Sequence, residues 1–153
     1  MSLQRFIYQK WQETMITNET DYAIRIIRAL EDGQVHSVKV VCEEENIPLK
    51  FAYKILGKLR DAGIVSNTSG VHGGSRLTGD LRQFTLLDLM GILENRSELR
   101  KCLVPGYRCD WKDKKNCSCQ VQEGLLKIQK KIDRELSRYS IYDLLHGNPD
   151  LKE

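Results

Sequence analysis

Apolar residues at Ala23, Ile26, Ile27 and Leu30 recur at i, i+3, i+4 and i+7, the spacing of one buried helix face. This predicts a helix from about Asn18 to Glu31, with Asn18 as N-cap and with Glu19 and Asp21 where the helix dipole favours negative charge. Asp32-Gly33 ends it. A short second helix is expected after a Ser37 cap, with Val38, Val41 and Cys42 inward; Cys42 there reads as a small buried hydrophobe. After a turn at Glu45-Asn46-Ile47, Pro48 suits the first turn of a third helix over roughly 48–62. That helix buries Ala52, Ile55, Leu56 and Leu59, presents Lys50, Tyr53, Lys54 and Lys58 on its other face, and stops at Gly63.

Beyond Gly63 the period changes. Ile64–Thr68 reads as a strand, Ser69–Gly74 as a glycine-rich turn, and Ser75–Thr78 as a returning strand. Thr85 then caps a helix with Leu86, Leu89, Met90 and Leu93 inward. The stretch from Cys102 to Cys119 follows and shows neither helical nor strand period. Last comes a long, highly charged helix from about Val121, with Val121, Leu125, Ile128, Ile132 and Leu136 spaced by three or four. That stripe is a coiled-coil-like seam, either a dimer interface or a face packed on its own domain.

A short helix, turn, helix and two-stranded hairpin in this order make a winged helix-turn-helix. The fold class is therefore mainly α, with a small β-hairpin wing and a long C-terminal helix. In such folds the second helix of the pair enters the major groove while the hairpin lies along the backbone or minor groove. Lys50, Tyr53 and Lys54 occupy the exposed start of the recognition helix, within reach of base edges and phosphates. Glycines at 70, 73 and 74 let the wing backbone approach phosphates. A protein-interaction module can use the same architecture, so pattern alone leaves both readings open. Charge sharpens the choice: the net value is only +3, yet residues 50–82 carry Lys50, Lys54, Lys58, Arg60, Arg76 and Arg82 against Asp61 and Asp80. Such a segment suits a polyanion, although ordinary solvated helix faces would look similar.

The chain has 153 residues, enough for one domain or a small domain with an appendage. No run approaches the ~18 apolar residues that span a membrane, and the N-terminus lacks a signal peptide's apolar segment, so a cytoplasmic protein is expected. Four of the five cysteines lie between 102 and 119 in the pattern C-x6-C-x7-C-x-C. Their crowding admits disulfides, a zinc site, an iron–sulfur cluster or a thiol redox switch. A reducing compartment disfavours disulfides, and the paired C-x2-C knuckles of most zinc folds are missing. Lys101, Arg108, Lys112, Lys114 and Lys115 around the thiols would stabilise thiolates and an anionic cluster. Catalysis finds no support: His36, His72 and His146 are scattered, and neither a nucleotide-binding glycine motif nor a carboxylate pair occurs.

The segments "MITNETDYAIRIIRAL", "IPLKFAYKILGKLRDAGIVSNTSGVHGGSRL", the cysteine stretch and "IDRELSRYSIYDLL" occur in the order of one bacterial family. Over about residues 15–145 the chain resembles the Rrf-two family of winged-helix transcription factors, the IscR- and NsrR-like regulators. The resemblance implies a homodimer on double-stranded operator DNA, with the long C-terminal helix as dimerisation helix. It also implies an iron–sulfur cluster (2Fe–2S or 4Fe–4S, with zinc as the alternative) that senses redox, nitric oxide or iron status. By position the cluster ligands are Cys102, Cys109 and Cys117; Cys119 is an extra thiol, as a fourth ligand or in place of Cys117. Asp21 matches an aspartate that NsrR-like relatives donate from the partner subunit; otherwise it is a carboxylate serving the helix dipole. In the wing, relatives often carry an arginine before the glycine; here Ser69 precedes Gly70, and Val71-His72 replaces the usual proline-glycine.

The expected organisation is a winged helix-turn-helix DNA-binding domain over 15–96, a cysteine-rich cluster loop over 97–119, a dimerisation helix and C-terminal segment over 120–145, and a tail over 146–153. Residues 1–14 precede what reads as a second beginning at Met15. They form an extension of unknown role, or a short amphipathic helix through Phe6, Ile7 and Trp11.

Overall fold

A computed structural model describes residues 16–94 and 98–148; the expectations for 1–14, for Met15 and for the last five residues lie outside it. Two compact units appear. Among the described residues, one comprises 16–80 with Ile92–Glu94, and the other Leu81–Gly91 with 98–148.

The first unit contains α1 (Asn18–Ala29), α2 (Val38–Glu44), α3 (Leu49–Asp61), β1 (Val65–Thr68) and β2 (Gly74–Leu77). Its core is the set of positions the apolar periods mark: Ala23, Ile26, Ile27 and Leu30, then Val41 and Cys42, then Ala52, Ile55, Leu56 and Leu59, all buried. Each large aliphatic side chain so buried contributes about 1.5–3 kcal/mol. Val38 is only half-buried. The N-cap of α1 is Thr17, not Asn18, and the Thr17 hydroxyl donates to Glu94 Oε1 (2.7 Å) instead of capping the helix. Pro48 takes the N-cap position of α3 in extended conformation, so the helix begins at Leu49, one residue after the predicted start.

β1 and β2 pair antiparallel, Val65 opposite Leu77 and Thr68 opposite Gly74. His36 adds an isolated bridge on the other side of β2: its N–H donates to Ser75 O and its carbonyl accepts from Ser75 N–H, both at 2.9 Å. The wing is thus tied to the turn before α2, a contact that one residue of strand cannot announce in sequence. It explains Gly74, where a Cβ would lie 2.1 Å from His36 O. Gly74→Ala is expected to cost roughly 2–4 kcal/mol, because backbone on both sides must shift. Urea unfolding of the purified variant checks this; a loss within about 0.5 kcal/mol would contradict the packing described.

The second unit contains a 3-10 turn at Leu81–Gln83, most of α4 (Leu86–Glu94), a 3-10 turn at Lys101–Leu103, α5 (Asp110–Lys115), α6 (Gln120–Leu136) and α7 (Ile141–His146). Thr85 caps α4 as expected, in a reciprocal box: Asp88 N–H donates to Thr85 Oγ1 (3.2 Å) and Thr85 N–H to Asp88 Oδ2 (2.9 Å). Ser140 and Asp143 form a second box at α7, and these bonds hold the Asp143 carboxyl below its ordinary pKa. Buried Ile141 donates its N–H to Phe84 O (2.8 Å).

The cysteine stretch is not devoid of helix, contrary to its lack of period. α5 places Asp110 and Asp113 in its first turn and Lys112, Lys114 and Lys115 in its last, an order that the helix dipole favours. None of its residues is buried, so there was no apolar repeat to see.

Candidate nucleic-acid interface and cysteine loop

α3 and the hairpin enclose a groove of about 500 Å³. Tyr53, Ser69 and Gly70, three of the five residues expected to meet DNA, share its lining with Arg60 and Asn67. Tyr53 is 60% exposed. Lys50 and Lys54 are exposed along the same helix but outside the groove lining. Lys50 lies over the Phe51 ring, its Nζ 5.0 Å from the centroid. Lys54 is held by Glu19, which also binds Lys58 Nζ at 2.9 Å. Burial pushes the Glu19 carboxyl up, but its bonds to Lys54 and Lys58 outweigh this and leave it below the ordinary value.

The wing is tight. Gly70 has φ +109°, and a Cβ at Gly73 would approach Thr68 O to 2.3 Å. Val71 stands at the tip, 98% exposed. Asn67 and Arg60 were missed as groove residues because each depends on two elements meeting. Asn67 accepts from Ser75 Oγ (2.9 Å), and Arg60 turns back on Asp61 (2.7 Å).

The four clustered thiols are all free, and none is buried. Cys102 sits in the 3-10 turn, Cys109 is the N-cap of α5, Cys119 the N-cap of α6, and Cys117 follows the left-handed Asn116. Two glutamines seven residues apart on α6 hold this stretch. Gln122 Nε2 donates to Cys102 O (2.5 Å) while its Oε1 accepts from Lys112 Nζ (3.0 Å). Gln129, the one buried residue of α6, accepts from Leu99 N–H (2.6 Å). Among the described residues no three His, Cys, Asp or Glu side chains are gathered as a metal site. The donor chemistry nevertheless fits an iron–sulfur cluster or zinc: four soft sulfurs, uncommitted to disulfides, on a stretch where no residue from 98 to 119 is buried and little packing resists closure. Asp21, in the first unit, is ion-paired to Arg25 at 2.7 Å and remains nearly half exposed. Cys42 behaves as expected of a core thiol, its pKa raised by burial and by nearby Glu43.

The α6 stripe is largely uncovered. Val121 is 71% and Ile128 50% exposed, while Leu125, Ile132 and Leu136 are half-buried.

The family model described as Rrf2, iron-dependent transcriptional regulator, matches residues 16–147. The chain belongs to the Rrf2 family. It is a DNA-binding transcriptional regulator, not an enzyme. Among curated relatives, protein aau3 of Rhizobium meliloti (strain 1021) is 27% identical over 139 residues, covering 89% of this chain and 88% of that one. The fold matches that of CymR (YrzC), the global cysteine regulator of B. subtilis, at a TM-score of 0.63 and 18% identity, over 89% of this chain and 99% of that one. It also matches T. potens IscR at a TM-score of 0.59 and 18% identity, over 90% of each chain. Among the described residues no helix is long and apolar enough to cross a membrane.

Proposed function

We propose that this Rrf2 protein is a cytoplasmic homodimer that binds operator DNA through α3 and the wing, and that its cysteine stretch carries an iron–sulfur sensor. The observation that carries the DNA reading is the groove in which Tyr53 of α3 and Ser69-Gly70 of the hairpin meet. Lys50 supplies a phosphate contact at the start of α3, and Tyr53 a contact to base edges. Dimerisation is supported by the uncovered α6 stripe, which places Val121 and Ile128 in solvent in a single chain.

Cys102, Cys109 and Cys117 would hold the cluster, with Cys119 the additional thiol; Asp21 would serve as the partner's ligand only after leaving Arg25. Such a cluster supplies an iron centre that oxidation, nitric oxide or iron shortage can alter. Coupling to DNA is supported by the end of α4. Lys58 of α3 donates to Leu93 O, and Glu94 Oε1 accepts from Thr17 (2.7 Å) and from buried Thr20 (2.5 Å) of α1. The end of α4, which precedes the cysteines in sequence, is therefore anchored on the recognition helix and on α1.

The test uses a fluorescein-labelled duplex selected from a random pool by the wild-type protein. Lys50→Ala is expected to weaken binding and to reduce the slope of log K against log salt by about 0.9 per recognition helix. Tyr53→Ala is expected to change preference among duplex variants by about 1–3 kcal/mol. Unchanged binding by a Lys50→Ala/Tyr53→Ala/Lys54→Ala protein would refute the assignment.

A further inference from the structure

We propose that Glu19 competes with DNA phosphate for the recognition helix: by holding Lys54 it withholds one of the positive charges that α3 presents, and so sets the affinity and salt dependence of the regulator. The inference rests on the assignment of α3 to DNA. Lys50 and Lys54 lie four residues apart and so share a face of α3. Among the described residues Lys50 has no carboxylate partner, whereas Lys54 does. The two lysines that Glu19 binds are not equivalent. Lys58 is only 27% exposed and has a second acceptor in Leu93 O, so it is a structural tie between α3 and α4. Lys54 is 58% exposed, and Glu19 is the acceptor it has in this structure. An ion pair so open to water is worth at most about 1 kcal/mol, within what a neighbouring phosphate can displace.

Glu19 also brings its own negative charge to the edge of the surface DNA must approach. Removing that charge frees Lys54 and lifts the repulsion together; only the first effect requires Lys54. A double-mutant cycle separates them. Glu19→Gln keeps the size and an acceptor for Lys58, and Lys58 retains Leu93 O, so the fold is expected to persist. Glu19→Ala serves as a second variant, and thermal unfolding is followed for both.

The probe is a short mixed-sequence duplex titrated at several salt concentrations, where binding is mostly electrostatic. Glu19→Gln is expected to bind roughly three- to tenfold tighter at low salt, with a slope steeper by about 0.9 per recognition helix. In the Lys54→Ala background most of that gain is expected to vanish. An equal gain with and without Lys54, or no gain at all in two folded variants, overturns the proposal. If the triple variant of α3 also binds the selected operator normally, the DNA assignment itself has failed. If the triple variant loses binding while Glu19→Gln is silent, only the competition by Glu19 has failed.

Discussion

Ile128→Glu combined with Ile132→Glu is expected to convert the regulator to monomers in sedimentation velocity and to weaken operator binding roughly hundredfold or more. The physical reason lies along α6. Its apolar repeat runs for four turns, yet within one chain Val121 and Ile128 remain in solvent. A helix normally buries such a stripe, and a second copy of the same stripe is the partner that heptad-like spacing favours. Placing two carboxylates per chain in that seam puts four like charges in a low-dielectric contact, where each costs far more than an apolar side chain contributes. DNA affinity falls with the dimer, because two recognition helices on one rigid body bind with the effective concentration of a linked pair. Since Ile128 is half exposed and Ile132 not fully buried in the single chain, the monomer itself is expected to stay folded. Full dimers at the same protein concentration would contradict the assignment of α6.

Cys102→Ala combined with Cys109→Ala is expected to abolish cofactor binding while sparing the fold. Anaerobically purified wild-type protein is expected to be brown and to contain iron and sulfide, and the double variant to be colourless with neither. Compared with cluster-free wild type, stability is expected to change by no more than about 0.5 kcal/mol, because the two thiols are half-buried and leave no core cavity. Cys42→Ala should retain iron but lose stability, by roughly 1–2 kcal/mol for a buried thiol with raised pKa that packs as a hydrophobe. A colourless wild-type protein containing zinc would overturn the iron–sulfur reading. A metal-free protein whose thiols pair on oxidation would make the stretch a redox switch.

The parts of this molecule that were legible in sequence are those where burial imposes a period. Ala52, Ile55, Leu56 and Leu59 defined α3 because a 3.6-residue repeat has to face a core, and the same four are the residues α3 buries. The hairpin showed through its glycines, since Gly70 needs a positive φ and Gly73 and Gly74 have no room for a Cβ. What escaped notice has no period. His36 contributes a single rung to the wing, and α5 is five charged residues and an exposed Trp111 held by charge order, with nothing buried. α7 depends on one buried residue, Ile141, and a capping box. Glu19 read as a carboxylate serving its own helix dipole, because a link to lysines thirty-five and thirty-nine residues away leaves no local trace. Likewise the thiols were visible as a group, but their placement at two helix N-caps and beside Gln122 was not.

The measurement closest to the central claim compares cluster-loaded and cluster-free dimers on the same selected duplex at one salt concentration, with the Cys102→Ala/Cys109→Ala protein as a third sample. If the cysteine stretch governs the recognition helices, loaded and unloaded wild type should differ in affinity by about 5–150-fold, a coupling of ~1–3 kcal/mol. The double variant should match the unloaded form whether or not iron and sulfide are supplied. Equal affinities for loaded and unloaded dimers would leave the stretch a structural element and contradict a sensor.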